Sequence, residues 1–183
     1  MSTALIIVDI QNDYFPNGKM ELINPDKAAA NAAKVLNWFR QNNKDHIFHV
    51  QHIASSPELG FFLPNTEGVE LHETVLPLEH ENIIVKNFAN SFLKTDLESK
   101  LRAKGVNKVV VVGMMTHMCI DATVRAAVDL GFETTLIEDA CATRDLSYQN
   151  KVVPAEQVHF AFVSALQGMY ANVISTADFL QRN

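Results

Sequence analysis

Three side chains in this sequence have the chemistry of acyl transfer, and each stands at or just past the end of an apolar run. Asp9 closes Ala4-Leu5-Ile6-Ile7-Val8, Lys86 closes Ile83-Ile84-Val85, and Cys119 follows Val109-Val110-Val111-Val112 by a turn that opens at Gly113. A thiolate is a strong nucleophile, a neighbouring ammonium favours it, and a carboxylate can take the thiol proton and pass it to a leaving amine. Taken singly, each residue has an ordinary structural reading as a small buried hydrophobe, a solvated strand end or a turn cap. Their coincidence at one edge of a sheet points to chemistry.

That coincidence requires parallel strands. Continuous rather than alternating apolarity suits strands covered on both faces, and the form recurs at Ile47-Phe48-His49-Val50, Asn82-Ile83-Ile84-Val85, Thr134-Thr135-Leu136-Ile137 and Ala171-Asn172-Val173-Ile174, so six strands are expected. Helical spacing separates several of them, from Pro25 with Ala28, Ala32, Val35, Leu36 and Phe39 on one face, from about Met118 to Leu130 before Gly131, and from about Pro154 to Gly168. Such alternation predicts right-handed crossovers and an α/β fold of three layers, with a parallel sheet between helices, as one domain over residues 1–183. Ligands of open parallel sheets bind outside the carboxyl ends of the strands, where these three residues fall. In the turn from Gly113 to Cys119, Thr116 is placed as an N-cap. Cys119 is then expected in a first helical turn, with the dipole and Lys86 lowering its pKa.

Charge narrows the partners. The 183 residues carry 15 Lys+Arg against 21 Asp+Glu, a formal charge of −6, without a basic run. Neither nucleic acid nor a membrane surface is expected as a partner. No apolar stretch reaches the roughly 20 residues of a bilayer span, and Met1-Ser2-Thr3-Ala4-Leu5 lacks the basic region of a signal peptide, so a cytoplasmic location is expected. The two cysteines then read as free thiols, Cys141 as an ordinary one. Residues 54–81 break the alternation with Pro57, Pro64, Pro77 and the exposed-looking pair Phe61-Phe62. They read as a long irregular insertion, either a lid or binding loop or a surface excursion or subunit contact. His72, His80 and His159 carry no pattern. Phosphate-cradling, zinc-peptidase and serine-elbow motifs are absent.

Leu5-Ile6-Ile7-Val8-Asp9-Ile10-Gln11-Asn12-Asp13-Tyr14-Phe15, Val85-Lys86-Asn87-Phe88-Ala89-Asn90-Ser91-Phe92 and the stretch from Val112 through Cys119 to Ala127 resemble the motifs of the isochorismatase-like cysteine hydrolases, as does Asp139-Ala140-Cys141-Ala142-Thr143-Arg144-Asp145. This superfamily includes nicotinamidases and N-carbamoylsarcosine amidohydrolases. The resemblance implies a catalytic triad of Asp9, Lys86 and Cys119, an oxyanion hole from the backbone N–H groups of Met115 and Cys119, and a cis peptide at Met114-Met115. It also implies a six-stranded parallel sheet of order 3-2-1-4-5-6. Lys86 would then start two strands from Asp9, roughly 10 Å away, and must lean inward. Tyr14 and Phe15 are expected as an aromatic wall, with Gln51, Asn90, Ser91, Phe92 and His117 as further pocket candidates. Oligomers are common among relatives, so a homo-oligomer is expected.

One departure bears on cofactors. Nicotinamidases bind a divalent metal through an Asp-x-His pair after the second strand, where this chain reads Val50-Gln51-His52-Ile53-Ala54. His49 and His52 are spaced like a ligand pair, but a three-residue step along a strand places side chains on opposite faces. No metal and no cofactor are expected. The presence of Cys119 favours a C–N bond of a small amide, ureide or carbamoyl compound, broken through a thioester. Two alternatives stand beside this: vinyl-ether C–O hydrolysis as in isochorismatase, and a non-catalytic phospho-acceptor or ligand-binding domain using Asp9, Asp13, Thr116 and a lysine.

Overall fold

The computed structural model describes residues 2–182, so the outermost residues of the expected domain, Met1 and Asn183, lie outside the described residues. Six parallel strands form one sheet: β1 (Ser2–Val8), β2 (Ile47–His52), β3 (Asn82–Lys86), β4 (Val106–Met114), β5 (Glu133–Ala142) and β8 (Asn172–Ile174). Their order is β3-β2-β1-β4-β5-β8. This is the expected order, with the sixth strand of the sheet numbered eighth because a short antiparallel hairpin, β6 (Leu146–Tyr148) and β7 (Lys151–Val153), intervenes. That hairpin has no counterpart among the six expected strands.

The helices are α1 (Pro25–Asn42), α2 (Leu97–Ala103), α3 (Asp121–Asp129), α4 (Ala155–Leu166) and α5 (Thr176–Arg182). The pleat of β1 divides the core between them. Leu5 and Ile7 pack with Ala32, Val35, Leu36 and Phe39 of α1 and with Phe179 of α5. Ala4, Ile6 and Val8 face the other way, onto Leu97 and Leu101 of α2, Val124 and Ala127 of α3, and Leu166 of α4. Period-two alternation thus feeds two apolar layers, which is why the strand reads as unbroken apolar sequence. The strand β3 is the exception. It is an edge strand, with Ile83 and Val85 half exposed rather than covered.

Two features aim the site. At the end of β4, Gly113 adopts φ +131° opposite Val8, and a Cβ there would lie 2.0 Å from the Val8 carbonyl oxygen. Only glycine allows this backbone approach. The chain then passes through a cis Met114–Met115 peptide into a π-helical turn, Thr116–Ile120, ahead of α3. Cys119 therefore sits in a π turn rather than in the first turn of an α-helix. Thr116 does not cap that helix. Its hydroxyl instead hydrogen-bonds the Ala142 carbonyl at 3.3 Å and His159 Nδ1 at 2.9 Å. Among the described residues no helix is long and apolar enough to cross a membrane.

Candidate active site

Asp9, Lys86 and Cys119 converge at the carboxyl edge of the sheet. Asp9 leaves β1 in a left-handed conformation, φ +51°, with its N–H on the Val50 carbonyl at 3.0 Å. Such backbone in a non-glycine residue persists only where its surroundings impose it. Lys86 reaches back past β2, where its register partner is His52. Its Nζ lies 2.7 Å from Asp9 Oδ2, 3.0 Å from His52 Nδ1, 3.0 Å from the Phe88 carbonyl and 3.2 Å from Cys119 Sγ. The long stem closes the two-strand gap. An ammonium has three hydrogens to donate, so these four acceptors share them.

Burial sets the charges. It alone would lower the Lys86 pKa, but Asp9 and the Cys119 sulfur outweigh it and hold the ammonium above its usual value. The Cys119 thiol moves the other way from the expectation. Burial first, and then the Asp9 carboxylate, push it well up against the opposing pull of Lys86. A second buried anion beside Asp9 costs more than one ammonium returns, so the resting sulfur keeps its proton. A shift of that proton onto Asp9, however, leaves the net charge of the buried cluster unchanged.

The sequence offers His52 as half of a spaced ligand pair, but its contacts give it another place. Because Lys86 can only donate, His52 Nδ1 accepts, which puts the neutral ring's proton on Nε2. Burial, and then Lys86, keep the ring below its usual pKa. Gln11 fixes this segment: its side chain donates to the His52 carbonyl at 2.9 Å and the Val69 carbonyl at 2.7 Å, and accepts from the His52 N–H at 2.8 Å. Ligand-type atoms of Asp9, His52 and Cys119 lie within 4.8 Å of one another, but Lys86 Nζ stands among them as a built-in cation. His49 belongs elsewhere. Its Nε2 meets Glu81 at 2.8 Å, away from His52, as the strand's alternation requires.

Cys119 opens onto a cleft of about 550 Å³, within the range of small-molecule sites. Its apolar walls come from Tyr14, Leu59, Phe61, Phe88, Met115 and Met118. The 54–81 segment thus supplies part of the site, and its phenylalanines are buried rather than exposed. The Phe61 and Phe62 rings lie 6.0 and 4.6 Å from that of Tyr14. Asp13 pins the segment in place, accepting the Phe62 N–H at 2.6 Å and the Lys19 N–H at 3.1 Å. Gly68 lies so close that a Cβ would meet the Asp13 carboxylate at 2.1 Å.

Of the pocket candidates, Tyr14 faces this cleft, and so do the two residues expected to supply the oxyanion hole, Met115 and Cys119. Six expected residues do not line it. Phe15 stacks on His72 at 3.5 Å, Gln51 donates to the Val69 carbonyl, and Asn90 Oδ1 accepts the Phe92 N–H. Phe92 stacks near Phe132 in the core, and His117 hydrogen-bonds Thr143 at 2.6 Å. Ser91 is buried against Thr123. Cys141 is also buried, its thiol pushed up to about 12 by that burial.

Residues 3–178 match the family model described as the isochorismatase domain. The chain belongs to the isochorismatase family. The isochorismatase family protein YddQ of Bacillus subtilis is 59% identical over 181 residues, 99% of this chain and 100% of that protein. The crystal structure of a putative isochorismatase hydrolase from Oleispira antarctica superposes with a TM-score of 0.93 at 45% identity, covering 98% of this chain and 96% of that one. The ureidoacrylate amidohydrolase RutB of Acinetobacter baylyi is 27% identical over 213 residues, 99% of this chain and 84% of that enzyme. The isochorismatase family therefore accounts for both the sheet order and the hydrolase character of the relatives.

Proposed function

We propose that this chain is a metal-independent cysteine hydrolase that cleaves a C–N bond of a small amide, ureide or carbamoyl compound. The observation that carries the reading is the single ammonium of Lys86, within hydrogen-bonding distance of both the Asp9 carboxylate and the Cys119 sulfur. The amidohydrolase activity in the name of RutB supports it.

The proton bookkeeping closes within the cluster. As a substrate carbonyl reaches Cys119, Asp9 takes the thiol proton, and the Lys86 ammonium swings its shared hydrogen toward the new thiolate. The C–S bond forms while the carbonyl π electrons move to oxygen. That oxyanion faces the Met115 and Cys119 N–H groups in the proposed hole. Collapse breaks the C–N bond, and the departing nitrogen takes the proton from Asp9. Water then attacks the thioester, giving its proton to Asp9, and the sulfur leaves to be reprotonated. A small-molecule substrate is the only partner this cycle needs.

The test is amine or ammonia release across a panel of small amides, ureides and carbamates, with the acyl-enzyme sought by intact mass. Cys119→Ala is expected to abolish both signals. Turnover that survives Cys119→Ser but not Asp9→Asn would instead identify C–O hydrolysis. Phosphoryl addition from a small phosphodonor with Mg²⁺ would identify a phospho-acceptor. That reading needs an aspartate at the end of β3, where Lys86 stands.

A further inference from the structure

We infer that the cleft selects for substrates that are uncharged or cationic away from the scissile bond and rejects those carrying a carboxylate, with Glu58 as the specificity-determining residue. The inference rests on reading this cleft as the substrate site. Beside the apolar walls, the cleft is lined by Ser55, Ser56, Glu58, Asn87 and His52, so its one charged wall residue is an acid. Glu58 is exposed on a single 3-10 turn, Pro57–Leu59, where the Ser56 side chain caps the Glu58 N–H. No carboxylate contact of Glu58 with a described cation is present among the ion pairs.

A substrate anion entering here would meet the Glu58 carboxylate beside apolar walls, with no Lys or Arg among the described lining residues to compensate it. The hydrogens of Lys86 are already engaged by four acceptors. Lys94 lies over the ring of Phe88, 5.2 Å from its centroid, and Arg144 is a further competing cation. Its field reaches Tyr14 and His117, but it donates to the Asp145 carbonyl and does not line the cleft. His52 is neutral and adds no positive charge. Apolar walls with an acidic mouth therefore suit an apolar amide whose far end is neutral or carries an ammonium.

Alkylating reagents of one size and different charge test this without requiring turnover. In each case Cys119 sulfur bonds to the reagent carbon, halide leaves and the thiol proton goes to base. Rates at Cys119 are measured for iodoacetamide, iodoacetate and 2-bromoethylamine by mass mapping, each divided by its rate with free cysteine at the same pH. Iodoacetate is expected to fall at least about tenfold behind iodoacetamide, with 2-bromoethylamine ahead of both. Glu58→Gln is expected to narrow the gap by roughly two- to fivefold, the worth of one exposed charge, and Glu58→Lys to narrow it further. Equal or faster reaction of iodoacetate, or a gap untouched by either Glu58 variant, overturns the inference. An iodoacetate preference lost in Arg144→Gln would assign an anion site to Arg144 instead. Failure of the amidase reading looks different: the reagent order holds while no amide in the panel is turned over.

Discussion

The Asp9 carboxylate and the Cys119 thiol share one counter-ion, the Lys86 ammonium, at 2.7 and 3.2 Å. Only one of the two can be a fully compensated anion at a time. The same carboxylate that accepts the thiol proton in the proposed cycle therefore also keeps that proton in place at rest.

Asp9→Asn separates these two roles. Removing the carboxylate takes away a charge that raises the Cys119 pKa and frees Lys86 to pair with sulfur. Alkylation of Cys119 by iodoacetamide at neutral pH is expected to accelerate, about tenfold for each unit the pKa falls. Hydrolysis is expected to drop by roughly 10²–10⁴ as the proposed general base is lost. Slower alkylation in this variant would show that Asp9 does not hold the thiol protonated.

Lys86→Met leaves Asp9 buried without its ion pair. Both side chains of that pair are wholly buried, and breaking such a pair by removing one partner costs about 3–5 kcal/mol. Urea unfolding should register a loss of that order together with a higher thiol pKa. An unchanged midpoint would mean that the pair adds nothing to stability.

Acid stability should depend on Glu81. Burial alone would raise its pKa, but Arg40 at 2.7 Å, the Leu78 N–H and His49 bring it down from 4.5 to about 2. With the folded value depressed, the stabilisation is present above the unfolded pKa and is lost as pH falls from near 4.5 toward about 2. His49, held below its usual value by burial, adds an acid-side loss that begins below about 6.5. Glu81→Gln is expected to flatten the lower window in a pH series of thermal melts. It should cost about 2–3 kcal/mol at neutral pH, below a fully buried pair because Arg40 is partly exposed.

The cleft wall should loosen when Asp13 is removed. Asp13→Ala deletes the acceptor of the Phe62 N–H, and Gly68→Ala drives a methyl into the same carboxylate. Both variants are expected to raise KM several-fold while leaving the alkylation pH profile of Cys119 in place, because neither touches the triad. A shifted profile would tie the segment to the chemistry itself.

The sheet and the three strand-end residues were legible because each depends on local pattern, an apolar run closed by one ionisable side chain. What stayed hidden depends on distant partners. Phe61 and Phe62 look exposed in a proline-rich stretch, and only Asp13, 49 residues before Phe62, shows that they are buried. Glu81 carries no motif, and Gln11 stands within one that does not reveal its role, since most of their partners are backbone and side chains more than thirty residues away. The short helices α2 and α5, at seven residues each, give too few turns for a helical period to stand out. The β6–β7 hairpin turns on Gln149 and Asn150, both left-handed, without the glycine that normally signals such a turn.

The 54–81 segment brings part of the wall to Cys119 and is fastened by Asp13 and Gln11 as well as by His49 and Gln51 of β2. Under the proposed function, part of the recognition surface is thus set apart in sequence from the three strand-end residues. A graft of this segment from a relative, anchors retained, would re-specify what is cleaved while leaving intact how it is cleaved.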